Sequence, residues 1–254
     1  MYLDVIELRN FYASPGGRVA ARLITGALRR LWPDIHGHGL LGLGFASPYL
    51  DIFAEAGRRI ALMPAPQGVI VWPPGAPNRE ALVEEDSLPL GDAAIERILV
   101  VHSLECSDSA RRELREIWRV LAAGGRAVFI VPNRRGIWAR TEKTPFGHGH
   151  PYSHGQLNRL LGESMFTPLR WASALHMPPA RSRPGRRLMT SLESTGRRLW
   201  PNFGGVLLVE AEKRIYAKGA RLKNIRQQHP ALARDLGSTV LGRDNHPRRN
   251  TKSA

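Results

Sequence analysis

Cysteine is almost absent from this chain. Cys106 stands alone among 254 residues, which excludes an internal disulfide and suits a reducing, cytoplasmic setting. No run of about 18 apolar residues occurs, so no membrane-spanning helix is expected. The first residues place Asp4 and Glu7 where a secretory signal would have basic residues ahead of an apolar stretch, so no signal peptide is expected. Acidic residues are scarce as well: 22 Asp and Glu stand against 37 Lys and Arg, giving a net charge of +15. No internal repeat is visible. The remainder is ordinary for a globular protein, with 43% hydrophobic and 7% aromatic residues. Such a length allows one large α/β domain or two small ones with a substantial core.

The positive charge is unevenly placed. From Lys213 to the end there are eleven Lys and Arg against Asp235 and Asp244, which is +9 and leaves +6 on the 212 residues before it. This tail, 214–254, has few large apolar residues and cannot bury enough surface to fold alone. Two readings stay open for it, a solvated disordered end or a contact with nucleic acid or an anionic surface. A second basic stretch, "RSRPGRRLMTSLESTGRRLW" (181–200), places Leu188, Leu192, Leu199 and Trp200 near one helical face. It is expected to pack that face on the domain and partly cover the active site, the alternative being a membrane or an acidic partner.

Strands and helices alternate along the rest. Ser14-Pro15 opens a helix, 14–32, because Ser accepts a backbone N–H and Pro suits the first turn. Val19, Leu23, Leu28 and Leu31 recur at helical spacing until Trp32-Pro33 stops the run. Strands are expected at "GLLGLGF" (39–45), "RRIALM" (58–63), "ALVEED" (81–86), "RILVVH" (97–102) and "RAVFIV" (126–131), with two more at "PLRWASAL" (168–175) and "GVLLVEAE" (205–212). Between them, 51–57 and 109–123 read as helices. The second carries Leu114, Ile117, Trp118 and Leu121 on one stripe, and Gly124-Gly125 ends it. Alternating strands and helices argue for a parallel sheet covered on both faces.

The stretch "LPLGDAAIERILVVHSLECSDSARRELREIWRVLAAGGRAVFIVPN" (88–133) resembles the second half of a class I S-adenosylmethionine-dependent methyltransferase domain (methyltransferase type 11-like), above all in "LREIWRVLAAGGRAVFIVPN". "EEDSLPL" (84–90) is similar to the family's acid and Leu-Pro after the third strand, and "HPYSHGQLNRLLGESMF" (150–166) to the segment before the sixth. The resemblance spans about 38–212. It implies a Rossmann-like, seven-stranded, mostly parallel sheet with helices on both faces, in one domain from 1 to 213. It also implies S-adenosylmethionine as cofactor and methyl transfer to an unidentified acceptor. The alternative is a methyltransferase-like protein without catalysis that serves as a binding or regulatory module, with RNA as a candidate partner of its tail.

Laid on the family's cofactor loop, Gly42 stands where an acid is expected, Gly44 keeps the first glycine, Ala46 replaces the second and Pro48 the third. Met63 stands where the family places an acid for the ribose hydroxyls, and no Asp or Glu occurs between Glu55 and Glu80. A thioether is a poor acceptor, so weak cofactor binding is expected unless Gln67 or backbone of 64–68 takes over. The resemblance assigns Asp86 and Ser87 to the adenine. Ligands of such sheets lie outside the carboxyl ends of the strands, where Gly44, Met63, Asp86 and His102 would converge. His102, His150 and Tyr152 are candidates for taking a proton from the acceptor.

Other motifs carry less. "GHGLLG" (37–42) matches a dinucleotide fingerprint in form only, since a helix stop precedes it and not a strand. His148, His150 and His154 lie close in sequence but lack carboxylate or cysteine partners, so no metal site is expected and a polar loop over a pocket fits better. Cys106 is expected to be a packed residue.

Overall fold

The computed structural model describes residues 2–179, 193–196, 198–200 and 203–215. The expectations placed on 181–192, with Leu188 and Leu192, and on the tail from 216 to 254 lie outside these residues. Met1–Arg214 group as one compact unit.

Seven strands form one sheet: β1 (Gly39–Gly44), β2 (Arg58–Pro64), β3 (Glu80–Val83), β4 (Ile95–Val101), β5 (Leu121–Pro132), β6 (Phe166–Ala174) and β7 (Val206–Lys213). Their order is β3-β2-β1-β4-β5-β7-β6, parallel except that β7 runs antiparallel to both of its neighbours. All seven expected strands are present, and the mostly parallel architecture with helices on both faces is as read from the sequence. β3 is shorter than expected, because residues 84–87 leave the sheet in a turn closed by Ser87 N–H to Glu84 O.

The central strands are apolar on both sides because both faces are covered. Leu99, Val101, Val128 and Ile130 point to a core under the first two helices. Their neighbours Ile98, Val100, Ala127 and Phe129 point to a core under α4 (Ala110–Val120) and α5 (His154–Glu163). This is the two-residue alternation of a strand used twice.

Four local expectations need correction. A helix absent from the sequence reading, α1 (Val5–Ala13), precedes α2 (Pro15–Leu31). Asp4 accepts the Ile6 N–H to start it, and Val5, Leu8 and Tyr12 form its buried stripe. Ser14 ends α1 and caps α2 by accepting from Gly17 N–H. In α2 the buried face is Ala20, Ile24, Ala27, Leu28 and Leu31, so Val19 and Leu23 lie at its margin. Residues 51–57 are not helical; a single turn, α3 (Ser47–Leu50), comes before them. The crossover must return the length of β1, about 20 Å for six residues, whereas a seven-residue helix rises only about 10 Å. Consecutive turns cover the distance until Gly57 N–H binds His38 O. Finally, α4 ends at Val120, ahead of the glycine pair, because Leu121 already pairs with Ile95. Gly124 then takes a left-handed turn at φ 69° within β5.

Candidate functional site

The carboxyl edge of the sheet carries the ends of β1, β2 and β4 on one side and of β5 and β6, with the start of β7, on the other. The first side gathers Gly42, Gly44, Ala46, Met63 and His102, as expected, but it is closed. Phe45, Ala46, Tyr49, Met63, Gln67 and His102 are each at most 2% exposed. Both glycines serve packing within the chain. A Cβ on Gly44, at φ 74°, would lie 2.2 Å from Val101 O, and one on Gly42 would lie 2.7 Å from the Ala46 Cβ.

The closing group is Tyr12 of α1. Its ring stacks on Phe45 at 5.5 Å and meets Tyr49 edge-on at 5.9 Å. Its hydroxyl is hydrogen-bonded to His102 Nε2 at 2.8 Å and accepts from Tyr49 at 3.0 Å. Burial, then the neighbouring Tyr49, pushes the Tyr12 phenol well above its ordinary range. Gln67 Nε2 donates to His102 O at 2.9 Å, tying the loop after β2 to the end of β4 across β1. His102 takes the left-handed backbone region, φ 51°, and its Nδ1 lies 3.3 Å from the Glu105 carboxylate.

Carboxylates surround this closed centre. Glu113 accepts from Ser103 Oγ at 2.6 Å and is pushed up to about 8, first by burial. Glu85 accepts from Ser107 Oγ at 2.5 Å, and burial raises it too. Glu85, not Asp86, thus reaches the loop after β4. Asp86 and Ser87 are exposed, with Asp86 facing Arg112 at 3.6 Å, whereas Gly44, Met63 and His102 are buried. The turn that ends β3 early carries both residues outward.

The chemistry of the cleft partly suits an adenosine-bearing cofactor and its space does not. Gln67 Oε1 and Glu105 Oε2 are buried without a partner among the described residues, and they are acceptors a ribose could use. Met63, however, is fully buried in the apolar core, in register with Leu82. Tyr12 and Phe45 stack on each other in this buried centre. As arranged, these residues do not fit S-adenosylmethionine.

The three candidate histidines separate. His148 Nε2 is 2.8 Å from Glu142 O, and His154 stacks on Trp171 at 3.8 Å. His150 donates its backbone N–H to Glu105 O at 2.7 Å, laying its loop over the end of β4. Among the described residues, no three His, Cys, Asp or Glu side chains converge as metal ligands. His150 and Tyr152 border a cavity of about 330 Å³ with Arg134 and Gln156. Burial pushes the Tyr152 phenol up to about 12, and its hydroxyl donates to Leu104 O. Cys106 is buried, as expected, and burial raises its thiol far above its ordinary range.

The other side of the edge is open. A cavity of about 520 Å³ lies between α5 and the outer strands, lined by Asn133, Arg135, Ser153, His154, Trp171, Ser173 and others. A capping box fixes the start of α5 at its rim: Ser153 Oγ accepts from Gln156 N–H, and Gln156 Oε1 from Ser153 N–H. Sequence reading missed both this cavity and Tyr12. For Tyr12 a signal existed in the Val5, Leu8, Tyr12 spacing; for Arg135 and Trp171 only the fold brings them together.

No protein-family model and no curated protein matches the chain. Solved structures do. An S-adenosylmethionine-dependent methyltransferase from Thermotoga maritima matches at 19% identity and TM-score 0.58, covering 83% of this chain and 96% of that one. One from Mesorhizobium loti matches at 16% and 0.53, covering 74% and 96%. A Haloferax volcanii complex with the Trm112 methyltransferase activator matches at 16% and 0.54, covering 77% and 91%. At these identities the likeness is one of fold.

Proposed function

We propose, for a chain with the class I S-adenosylmethionine-dependent methyltransferase fold, that it works as a ligand-binding or regulatory protein with a closed cofactor cleft. Its working surface is the open cavity at the β5, β7 and β6 end. The observation that carries this reading is Tyr12, hydrogen-bonded to His102 and stacked on Phe45 within the buried edge after β1 and β4. The single thiol supports a reducing, cytoplasmic setting, and no described helix is long and apolar enough to cross a membrane.

A second reading keeps methyl transfer to an unidentified acceptor, with α1 as a removable lid. The unpartnered Gln67 Oε1 and Glu105 Oε2 favour it, because buried acceptors without donors suit an absent polar ligand. Calorimetric titration with S-adenosylmethionine separates the two readings. The closed-cleft reading expects no heat from wild type or from Tyr12→Ala. Binding gained only in Tyr12→Ala supports the lid, and micromolar binding by wild type overturns the closed-cleft reading.

A further inference from the structure

Large apolar side chains normally leave the surface unless something covers them, and an exposed group of them marks an interaction site. At the open end of the sheet edge four stand out: Ile137 is 53% exposed, Leu199 60%, Trp200 58% and Phe203 53%. The backbone brings them together. Gly136 is packed so closely on Gly204 that a Cβ there would lie 2.7 Å from Gly204 O, which brings the backbone next to Ile137 close to the backbone next to Phe203. Phe203 N–H donates to Trp200 O, which holds Phe203 near Trp200 and its neighbour Leu199. The expectation that Leu199 and Trp200 pack onto the domain is therefore wrong at both positions.

The exposed charge in the same stretches is mostly positive. Arg134, Arg135, Arg140, Lys143 and Arg198 are exposed, and among the described residues none forms an ion pair. Of the acids in the same stretches, Glu193 is held by the His176 ring and backbone N–H, which leaves Glu142. Tryptophan, phenylalanine and leucine amid arginines form the surface that lies in a lipid headgroup layer: rings and aliphatic chains enter the acyl boundary while guanidinium groups stay with phosphates.

We propose that Ile137, Leu199, Trp200 and Phe203, together with the exposed cations of the same segments, dock the protein on an anionic lipid bilayer. Charge complementarity selects this occupant, since the 212 residues before the tail carry +6 on their own, which favours an anionic face over a neutral one. Each cation near such a surface contributes on the order of fivefold in partitioning. This inference is independent of whether the cofactor cleft binds a ligand.

Co-sedimentation of the full chain with phosphatidylglycerol vesicles and with phosphatidylcholine vesicles tests it. Binding to the first and little to the second is expected. The double variant Trp200→Ser/Phe203→Ser, checked for an unchanged melting temperature, should bind about tenfold more weakly. Quenching of wild-type fluorescence by brominated acyl chains should fall in that variant. Unchanged binding by the double variant would assign attachment to the basic tail and overturn the proposal. So would equal binding to both vesicles, or binding to an RNA oligonucleotide with none to vesicles.

Discussion

The two halves of the sheet's carboxyl edge are built from similar strand ends and have opposite character. At β1, β2 and β4 the residues from Gly42 to Ser47 and from Val101 to Ser107 are all buried, under Tyr12, Phe146 and the loop through His150. At β5, β7 and β6 there is a cavity of about 520 Å³ with polar and aromatic walls. The difference arises from what covers each half. The α1–α2 elbow drives aromatic rings into the first, whereas a short capped helix merely borders the second. A fold thus fixes where a ligand site lies, and side chains decide whether it is open.

The largest test of this contrast is Tyr12→Ala. Removing a buried aromatic leaves a cavity and should cost about 3–5 kcal/mol in urea denaturation. A loss under about 1 kcal/mol would mean that Tyr12 does not fill the cleft. Next is Gly44→Ala, which combines a positive φ with a backbone clash at Val101 O and should cost about 2–4 kcal/mol. Its counterpart in the open half, Gly155→Ala, meets nothing within 4 Å and should stabilise α5 by a few tenths of a kcal/mol to about 1.

A smaller effect comes from pH. Glu113 holds its proton up to about pH 8 in the folded chain and about pH 4.5 when exposed. The folded state therefore binds more protons between these values, and stability falls as pH rises through that window. Glu113→Gln keeps an acceptor for Ser103 and should flatten this part of the profile; an unchanged slope would exclude Glu113 as its source. The smallest expected change is Arg135→Ala at the open cavity, within about 0.5 kcal/mol of wild type. A larger loss would make Arg135 structural.

Much of the sheet was legible because buried parallel strands read as apolar runs, and "RILVVH" and "RAVFIV" need no tertiary information. Boundaries set by pairing were not: Leu121 leaves α4 because Ile95 awaits it. At the site, Met63 and Gly42 already signalled a departure from the cofactor pattern. The plug did not, since Tyr12 and His102 are 90 residues apart and only the α1–α2 elbow joins them. Asp86 and its neighbour Glu85 offer the same chemistry in sequence, and only the turn after β3 decides that Glu85 is the one to reach Ser107.

The central claim, that the cofactor cleft is closed in the native chain, is tested most directly by thermal unfolding of wild type with excess S-adenosylhomocysteine. A ligand at one hundred times its dissociation constant adds about 2.7 kcal/mol, or roughly 5–10 °C for a chain of this size. A closed cleft predicts an unchanged melting temperature. A rise of several degrees that saturates with ligand would contradict it.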